Sequence, residues 1–120
     1  MATTTTQATF RAVRDAIENR DLDAFLDTLA DEAVLIGYDQ RNPPASPLRI
    51  EGKAAIGEML RDVYGREMKH EIRDEVVGDD RFSFNEWCEY PDGNRVIASQ
   101  VFEVRDGRIM QTILNQTWDE

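Results

Sequence analysis

A short apolar run between two helix-like segments most constrains how this chain can fold. Residues 34–38 are too few and too uniformly apolar for another amphipathic surface helix, and the proline-rich segment 42–47 follows them. Proline lacks a backbone donor and disrupts both helices and central strands. We therefore predict a buried strand over residues 34–38 that enters a loop at residues 42–47. The loop is a candidate lid or rim for a pocket.

Three helices are predicted around this strand, because apolar residues recur at three- and four-residue spacing. The first is expected over residues 7–19. Asp21 can cap the second, and the third, over residues 53–64, starts past Gly52 and ends near Gly65. Their apolar stripes are Phe10, Val13 and Ile17; Leu22, Phe25, Leu26 and Leu29; and Ile56, Met59, Leu60 and Val63.

From Met68 onward the period becomes alternating, which is typical of strands. Turn signals at residues 78–80, 91–94 and 106–107 predict four strands joined by three hairpins. The predicted fold class is α+β, with three N-terminal helices packed on a curved antiparallel sheet. Residues 7–120 are expected to form one domain after a flexible segment, residues 1–6.

Hairpin registers predict which side chains share a face of the sheet. With turns centred on residues 92–93 and 106–107, one face mixes aromatic and aliphatic groups with amides, as small-molecule pockets do. We assign it to the pocket, and the other face, which carries Cys88, to a partner subunit in a homodimer through the sheet. Alternatively, a bulge reverses the last strand and its amides are external. The assigned pocket residues are Asn85, Trp87, Ala98, Gln100, Phe102, Ile109, Gln111, Ile113 and Asn115.

Composition excludes several classes of function. The 120 residues carry a net charge of -10, which repels phosphate backbones and argues against nucleic acid as a partner. Apolar runs are too short for a membrane helix, and the first residues lack the features of a secretory signal, so a cytoplasmic location is expected. A single cysteine and a single histidine exclude an internal disulfide and the usual structural zinc sites. No metal and no cofactor are predicted.

The order of elements resembles the nuclear transport factor 2-like superfamily, which includes ketosteroid isomerases and SnoaL-like polyketide cyclases. The blocks that carry the resemblance are residues 21–23, 30–33 and 52–56. The resemblance implies that the helices and the curved sheet form a cystatin-like cone with an internal pocket, whereas the isomerase residues do not match. The catalytic base falls on Gly37, the oxyanion tyrosine on Val13, and the oxyanion carboxylic acid on Gln100. Steroid isomerisation by that mechanism is therefore not expected.

Asp39 is the predicted base, because it lies two residues beyond Gly37 and on the same side of an extended strand. Gln100, and with it Asn115, would donate hydrogen bonds to a carbonyl group. Asp39 could instead cap the loop beside Asn42, and Gln100 could be a satisfied cross-strand amide. A raised pKa of Asp39 in an apolar pocket would favour catalysis, whereas bonds from loop amides would favour a module without catalysis.

His70 begins a predicted strand and could lie at the pocket mouth or in solvent. Histidine is the side chain whose ordinary pKa is nearest neutrality, which makes it a candidate proton carrier. Trp87 is expected either to wall the pocket against a planar ligand or simply to fill the core. Cys88, on the outward face with no histidine near it, is not expected to act as a nucleophile.

Two functional hypotheses follow. The first is a SnoaL-like domain that binds a small, largely apolar carbonyl or hydroxyl compound; if catalytic, it performs isomerisation or cyclisation by proton transfer. Its predicted site comprises Asp39 and Gln100 as catalytic residues, with Asn85, Trp87, Phe102, Gln111, Ile113, Asn115 and His70 binding the substrate. The second is a noncatalytic ligand-binding or dimerisation module of the same fold.

Overall fold

The computed structural model describes residues 5–119 and has the predicted α+β architecture, with three helices packed on a curved six-stranded sheet that does not close. No helix among these residues is long and apolar enough to cross a membrane. The elements are α1 (Thr5–Glu18), α2 (Leu22–Leu26), β1 (Leu29–Tyr38), β2 (Leu48–Glu51), α3 (Lys53–Gly65), β3 (Lys69–Val77), β4 (Arg81–Glu89), β5 (Arg95–Arg105) and β6 (Arg108–Trp118).

The strands lie in the order β2-β1-β6-β5-β4-β3. Every neighbouring pair is antiparallel except β1 and β6, which run parallel with Gly37 beside Leu114. The predicted four-strand meander is thus present as β3 to β6. Parallel pairing places the end of β1 beside β6, which brings Gly37 and Asp39 close to the residues of β6.

The helix boundaries differ from prediction at two ends. Helix α1 begins at Thr5, so Thr5 and Thr6 of the predicted flexible segment are helical, whereas residues 1–4 lie outside the described residues. Asp21 caps α2 as predicted, accepting a hydrogen bond from the backbone N–H of Ala24 at 3.1 Å. The predicted continuation of α2 to Leu29 is wrong, because Leu29 pairs with Ile109 and opens β1 instead.

Strand β2 was not predicted. It starts directly after the last proline of the 42–47 segment and pairs with β1, so that Ile36 faces Arg49. Four residues with alternating burial give too short a pattern to distinguish from a loop. The proline segment itself forms the connection between the two strands, as expected.

The predicted register between β4 and β5 is wrong by one residue. The strands are joined through residues 90–94, where the Tyr90 N–H donates to the Asn94 carbonyl at 2.9 Å, instead of a two-residue turn. Trp87 therefore pairs with Ile97 and Glu86 with Ala98. Because side chains alternate along a strand, Asn85 and Trp87 face away from the helices, and Glu86 and Cys88 face toward them.

The two-residue turn Asp106-Gly107 is correct, and both residues have positive φ, 53° and 79°. A bulge follows, however, because Val104 pairs with Ile109 while Glu103 pairs with Gln111. The extra residue shifts the register of the rest of β6 by one residue. This is the alternative in which a bulge reverses the last strand and its amides are external. The side chains of Gln111, Ile113 and Asn115 therefore lie on the outer face, and Thr112, Leu114 and Gln116 on the inner face.

The core is built on four phenylalanines between α1 and the inner face. The ring centroids of Phe82 and Phe102 are 4.6 Å apart, and those of Phe84 and Phe102 are 5.2 Å apart. Phe10 of α1 packs edge-on against Phe82 at 5.6 Å. This cluster fills one end of the cone and leaves the other end for a cavity.

Candidate functional site

A cavity of about 150 Å³ lies between the sheet and helices α2 and α3. Its wall is mainly apolar, and Phe25, Leu35, Leu60, Val63 and Leu114 contribute to it. Polar groups converge on the same space: Asp39, Tyr64, His70, Glu86, Cys88, Gln100, Thr112 and Gln116. An apolar cavity with a few convergent polar groups is the usual composition of a small-molecule site.

Four of these side chains form a hydrogen-bonded cluster, which we call the polar cluster: His70, Glu86, Cys88 and Gln100. His70 Nδ1 lies 2.8 Å from Glu86 Oε2, and the Cys88 thiol donates to the same oxygen at 3.2 Å. Gln100 Nε2 donates to Glu86 Oε1 at 2.7 Å. Cys88 Sγ lies 3.3 Å from His70 Nδ1. Glu86 is therefore the centre of the cluster.

The register explains how the cluster forms. His70 pairs with Cys88 across β3 and β4, and Glu86 lies two residues before Cys88 on the same face. Gln100 lies on β5 beside them, paired with Phe84. Side chains of His70 and Glu86 are only 6% and 13% exposed, so their contact is shielded from solvent.

Burial sets the protonation of the two weak acids at this wall. Burial raises the pKa of the Cys88 thiol, and the Glu86 carboxylate raises it further through its charge and its hydrogen bond. Burial also raises the pKa of Tyr64, with additional effects from Glu86 and Asp21. Both groups are therefore protonated at neutral pH, and the thiol is a hydrogen-bond donor instead of a nucleophile.

Asp39 lines the cavity, and its carboxylate is bonded to the following loop. Oδ1 accepts hydrogen bonds from the backbone N–H groups of Arg41 at 2.7 Å and Asn42 at 2.9 Å. The Asn42 side-chain amide also donates to both carboxylate oxygens. These are the loop contacts expected for a capping residue.

Of the predicted site residues, Asp39, Gln100 and His70 line the cavity. Phe102 faces inward but is fully buried in the phenylalanine core. Trp87 faces outward, with the Arg73 guanidinium 4.6 Å from its ring centroid. Asn85 faces outward too and is bonded to Asp74 and Ser99. Gln111, Ile113 and Asn115 belong to the outer face because of the bulge.

Sequence reasoning missed Glu86 and Cys88, which the one-residue register error assigned to the outer face. The available signal was the segment Tyr90-Pro91-Asp92-Gly93-Asn94, which is long enough for a five-residue hairpin loop. A loop of that length shifts the register of β4 against β5 by one residue. The side chains of residues 86 and 88 then point toward the helices, on the same face as His70.

Thr112 presents a separate polar group to the cavity. Its residue is 3% exposed, and its hydroxyl has no hydrogen-bond partner within the described part of the chain. A buried hydroxyl without a partner costs free energy unless a ligand or water satisfies it. Thr112 therefore marks a position where a ligand oxygen would be favoured.

Sequence comparison agrees with the fold. The model of the SnoaL-like domain matches residues 10–112. The chain belongs to the SnoaL-like domain family. Among curated proteins, none matches the sequence.

Solved structures similar to this SnoaL-like domain share its fold at low sequence identity. An NTF2-like protein of unknown function from Mesorhizobium loti is 22% identical, with 93% of this chain and 90% of that chain covered and a TM-score of 0.78. The Δ5-3-ketosteroid isomerase from Mycobacterium sp. is 16% identical, with 98% and 100% covered and a TM-score of 0.71.

A third similar structure is a Mycobacterium tuberculosis protein in complex with estradiol-17β-hemisuccinate. It is 18% identical, with 93% of each chain covered and a TM-score of 0.72. At these identities the likeness establishes the NTF2-like fold alone.

Proposed function

We propose that this SnoaL-like domain binds a small, largely apolar carbonyl compound in its cavity and catalyses proton transfer on it. The observation that carries the proposal is the polar cluster, in which a carboxylate and an imidazole meet at the wall of an otherwise apolar cavity. Glu86 would act as the base, and His70, in contact with the same carboxylate, would share the transferred proton.

The cavity volume limits the size of the ligand. A cavity of about 150 Å³ holds roughly one aromatic ring. We therefore propose a monocyclic ketone or enone, which is smaller than the steroid bound by the M. tuberculosis neighbour. The hydroxyl of Thr112 and the amide of Gln100 would bond to its oxygen, while Leu35, Leu60 and Leu114 would surround its ring.

We propose Glu86 as the base, and not Asp39, because the two carboxylates have different partners. The Asp39 carboxylate accepts hydrogen bonds from the backbone N–H groups of Arg41 and Asn42 in the loop, whereas the Glu86 carboxylate contacts the imidazole of His70, a group that can carry a proton. Asp39 remains the alternative base predicted from the sequence. The second candidate function, ligand binding without catalysis, is favoured by the loop bonds of Asp39.

Deuterium exchange tests the proposal without knowledge of the natural substrate. Carvone, 2-cyclohexenone, 1-indanone and androst-4-ene-3,17-dione are first screened by thermal shift, because a ligand of the native state raises the melting temperature. A ligand that binds is then incubated with the protein in D₂O, and deuterium beside its carbonyl is followed by NMR. We expect the monocyclic ketones, carvone and 2-cyclohexenone, to bind and to exchange.

Variants assign the base. We expect Glu86→Gln to slow the exchange at least about 100-fold, the usual contribution of a general base, and Asp39→Asn to retain it. The opposite pattern would identify Asp39 as the base. Binding without exchange would establish the noncatalytic alternative, and failure of every compound to bind would contradict the proposed ligand class.

We also propose a homodimer through the outer face of the sheet. Trp87, Ile97, Val101 and Ile113 lie on this face, and Val101 is 42% exposed. Apolar groups on a sheet face that none of the described helices covers favour packing against the same face of a second copy of the chain. Location in the cytoplasm remains a prediction from the sequence.

A further inference from the structure

We propose that His70, Glu86 and Cys88 form a binding site for a thiophilic divalent cation, with Zn²⁺ as the best-fitting ion. Their ligand atoms all lie within 4.8 Å of one another. They supply an imidazole nitrogen, a carboxylate oxygen and a thiol sulfur, all of which are zinc ligands in proteins. The sequence alone predicted no metal, because a single cysteine and a single histidine cannot form the usual structural zinc sites and Cys88 was assigned to the outer face.

The distances between these atoms are close to those of a tetrahedral zinc site. His70 Nδ1 is 2.8 Å from Glu86 Oε2, and Cys88 Sγ is 3.3 Å from His70 Nδ1 and 3.2 Å from Glu86 Oε2. Bonds of about 2.0 Å to nitrogen and oxygen and 2.3 Å to sulfur require separations of roughly 3.3 to 3.6 Å. Each edge of the triangle must therefore lengthen by about 0.2 to 0.6 Å, which small side-chain rotations can supply.

Charge favours a divalent ion at this position. A Cys88 thiolate and a Glu86 carboxylate carry two negative charges, which a divalent cation neutralises while His70 binds in its neutral form. Binding releases the Cys88 thiol proton to solvent, so one proton leaves for each ion bound. A neutral set of ligands and metal avoids the cost of leaving a net charge in an apolar wall.

Neighbouring residues orient one of the three ligands and leave a route by which an ion can reach the site. Gln100 Nε2 donates to Glu86 Oε1 at 2.7 Å, which fixes the carboxylate with its other oxygen toward His70 and Cys88. His70 and Cys88 also line a second, more open depression beside Glu18, through which an ion can approach. The main cavity lies against the same three ligands and can supply a fourth ligand from water or an organic oxygen.

Metal binding and the proposed proton transfer would use the same lone pairs. A bound ion would occupy Glu86 Oε2 and His70 Nδ1, so we expect Zn²⁺ to suppress deuterium exchange. The metal site does not depend on any organic ligand, however, and its test requires neither binding nor turnover of a ketone.

Cobalt substitution tests the site directly. The reduced, chelator-treated protein is titrated with Co²⁺ and followed by absorption spectroscopy. We expect a sulfur-to-cobalt charge-transfer band together with the visible bands of tetrahedral cobalt, and Zn²⁺ should displace the cobalt and remove both. Because Cys88 is the single cysteine in the sequence, a charge-transfer band can come from no other residue of this chain.

Matched variants separate this site from weak binding to the acidic surface. Glu86→Gln should weaken Zn²⁺ binding at least about tenfold, whereas Glu89→Gln, at an exposed position on the same strand, should not. Cys88→Ser should abolish the charge-transfer band, with circular dichroism reporting its fold. Absence of the band in the wild type, or equal weakening by the two glutamine variants, would overturn the proposal.

Discussion

At the scale of single residues, the inner face of the sheet divides between packing and polar contacts. Phe82, Phe84 and Phe102 stack at one end, while Glu86, Cys88 and Gln100 form hydrogen bonds at the other. The same strands, β4 and β5, supply both sets, two residues apart along each strand. A rigid core next to the cavity holds the polar cluster in place.

Phe102→Ala should strongly destabilise the fold. The residue is fully buried and contacts the rings of Phe82 and Phe84, so truncation removes apolar burial and leaves a cavity. We expect a loss of about 3–5 kcal/mol in the free energy of unfolding, measured by urea denaturation. Val76→Ala, at a position 66% exposed, should change it by less than about 0.5 kcal/mol. Similar losses in both variants would contradict the assigned core.

Tyr64 predicts how stability depends on alkaline pH. The folded state raises the pKa of this phenol above its ordinary value of 10.0, so above that pH the unfolded chain loses a proton that the folded chain keeps. Stability is therefore intact below pH 10 and falls as pH rises further, by at most about 1.4 kcal/mol per pH unit.

Urea denaturation at a series of alkaline pH values checks the contribution of Tyr64. Tyr64→Phe should flatten the fall in stability above pH 10, because it removes the titrating group. Tyr38→Phe, which leaves Tyr64 intact, should retain the full slope. An unchanged slope in Tyr64→Phe would show that other groups cause the alkaline loss.

At the scale of elements, the sequence predicted the three helices and the last four strands but not their registers. Apolar periodicity is a property of each segment, so α1, α3 and β3 to β6 could be read locally. Loop length and bulges decide which face a strand presents, and one residue reverses every side chain. A five-residue loop at 90–94 and the bulge near Val104 therefore moved Trp87 and Asn115 outward and Glu86 inward.

The turn that joins β5 and β6 requires glycine at one position. Gly107 has a φ of 79°, and a Cβ there would lie 2.8 Å from the Thr5 methyl carbon of α1. We expect Gly107→Ala to cost about 1–2 kcal/mol in the free energy of unfolding, measured by urea denaturation.

Gly65 provides the matched control for that change. It is the last residue of α3, and a Cβ there would meet nothing within 4 Å. Gly65→Ala should therefore stabilise the protein by up to about 1 kcal/mol, because alanine is the better helix former. Destabilisation by both substitutions would indicate that backbone conformation does not distinguish the two sites.

At the scale of the whole molecule, the helices among residues 5–119 cover one face of the sheet and leave the other uncovered. The proposed homodimer would cover the second face with a copy of itself. A stable interface of standard size buries about 800 Å² on each partner. One face of the four strands β3 to β6 has an area of that order. Because each chain carries a net charge of -10, two chains repel each other, and the contact between them must be mainly apolar.

Val101→Glu should dissociate this dimer. The substitution adds a negative charge at the middle of the outer face, and in a dimer two such charges would approach each other. Sedimentation velocity should show a dimer for the wild type and a monomer for the variant. Val76→Glu, on the edge strand β3, should remain dimeric. A monomeric wild type would contradict the proposal.

Pairing of β1 with β6 has a consequence for synthesis of the protein. Residues 29–38 emerge from the ribosome well before their partner, residues 108–118. Strand β1 and the residue after it supply Gly37 and Asp39 to the cavity wall, and β1 can pair with β6 only when β6 is available. Contacts between such distant segments form slowly. A nascent chain that stops before β6 would therefore lack the sheet's centre, and the chaperones that bind exposed apolar strands would meet it first.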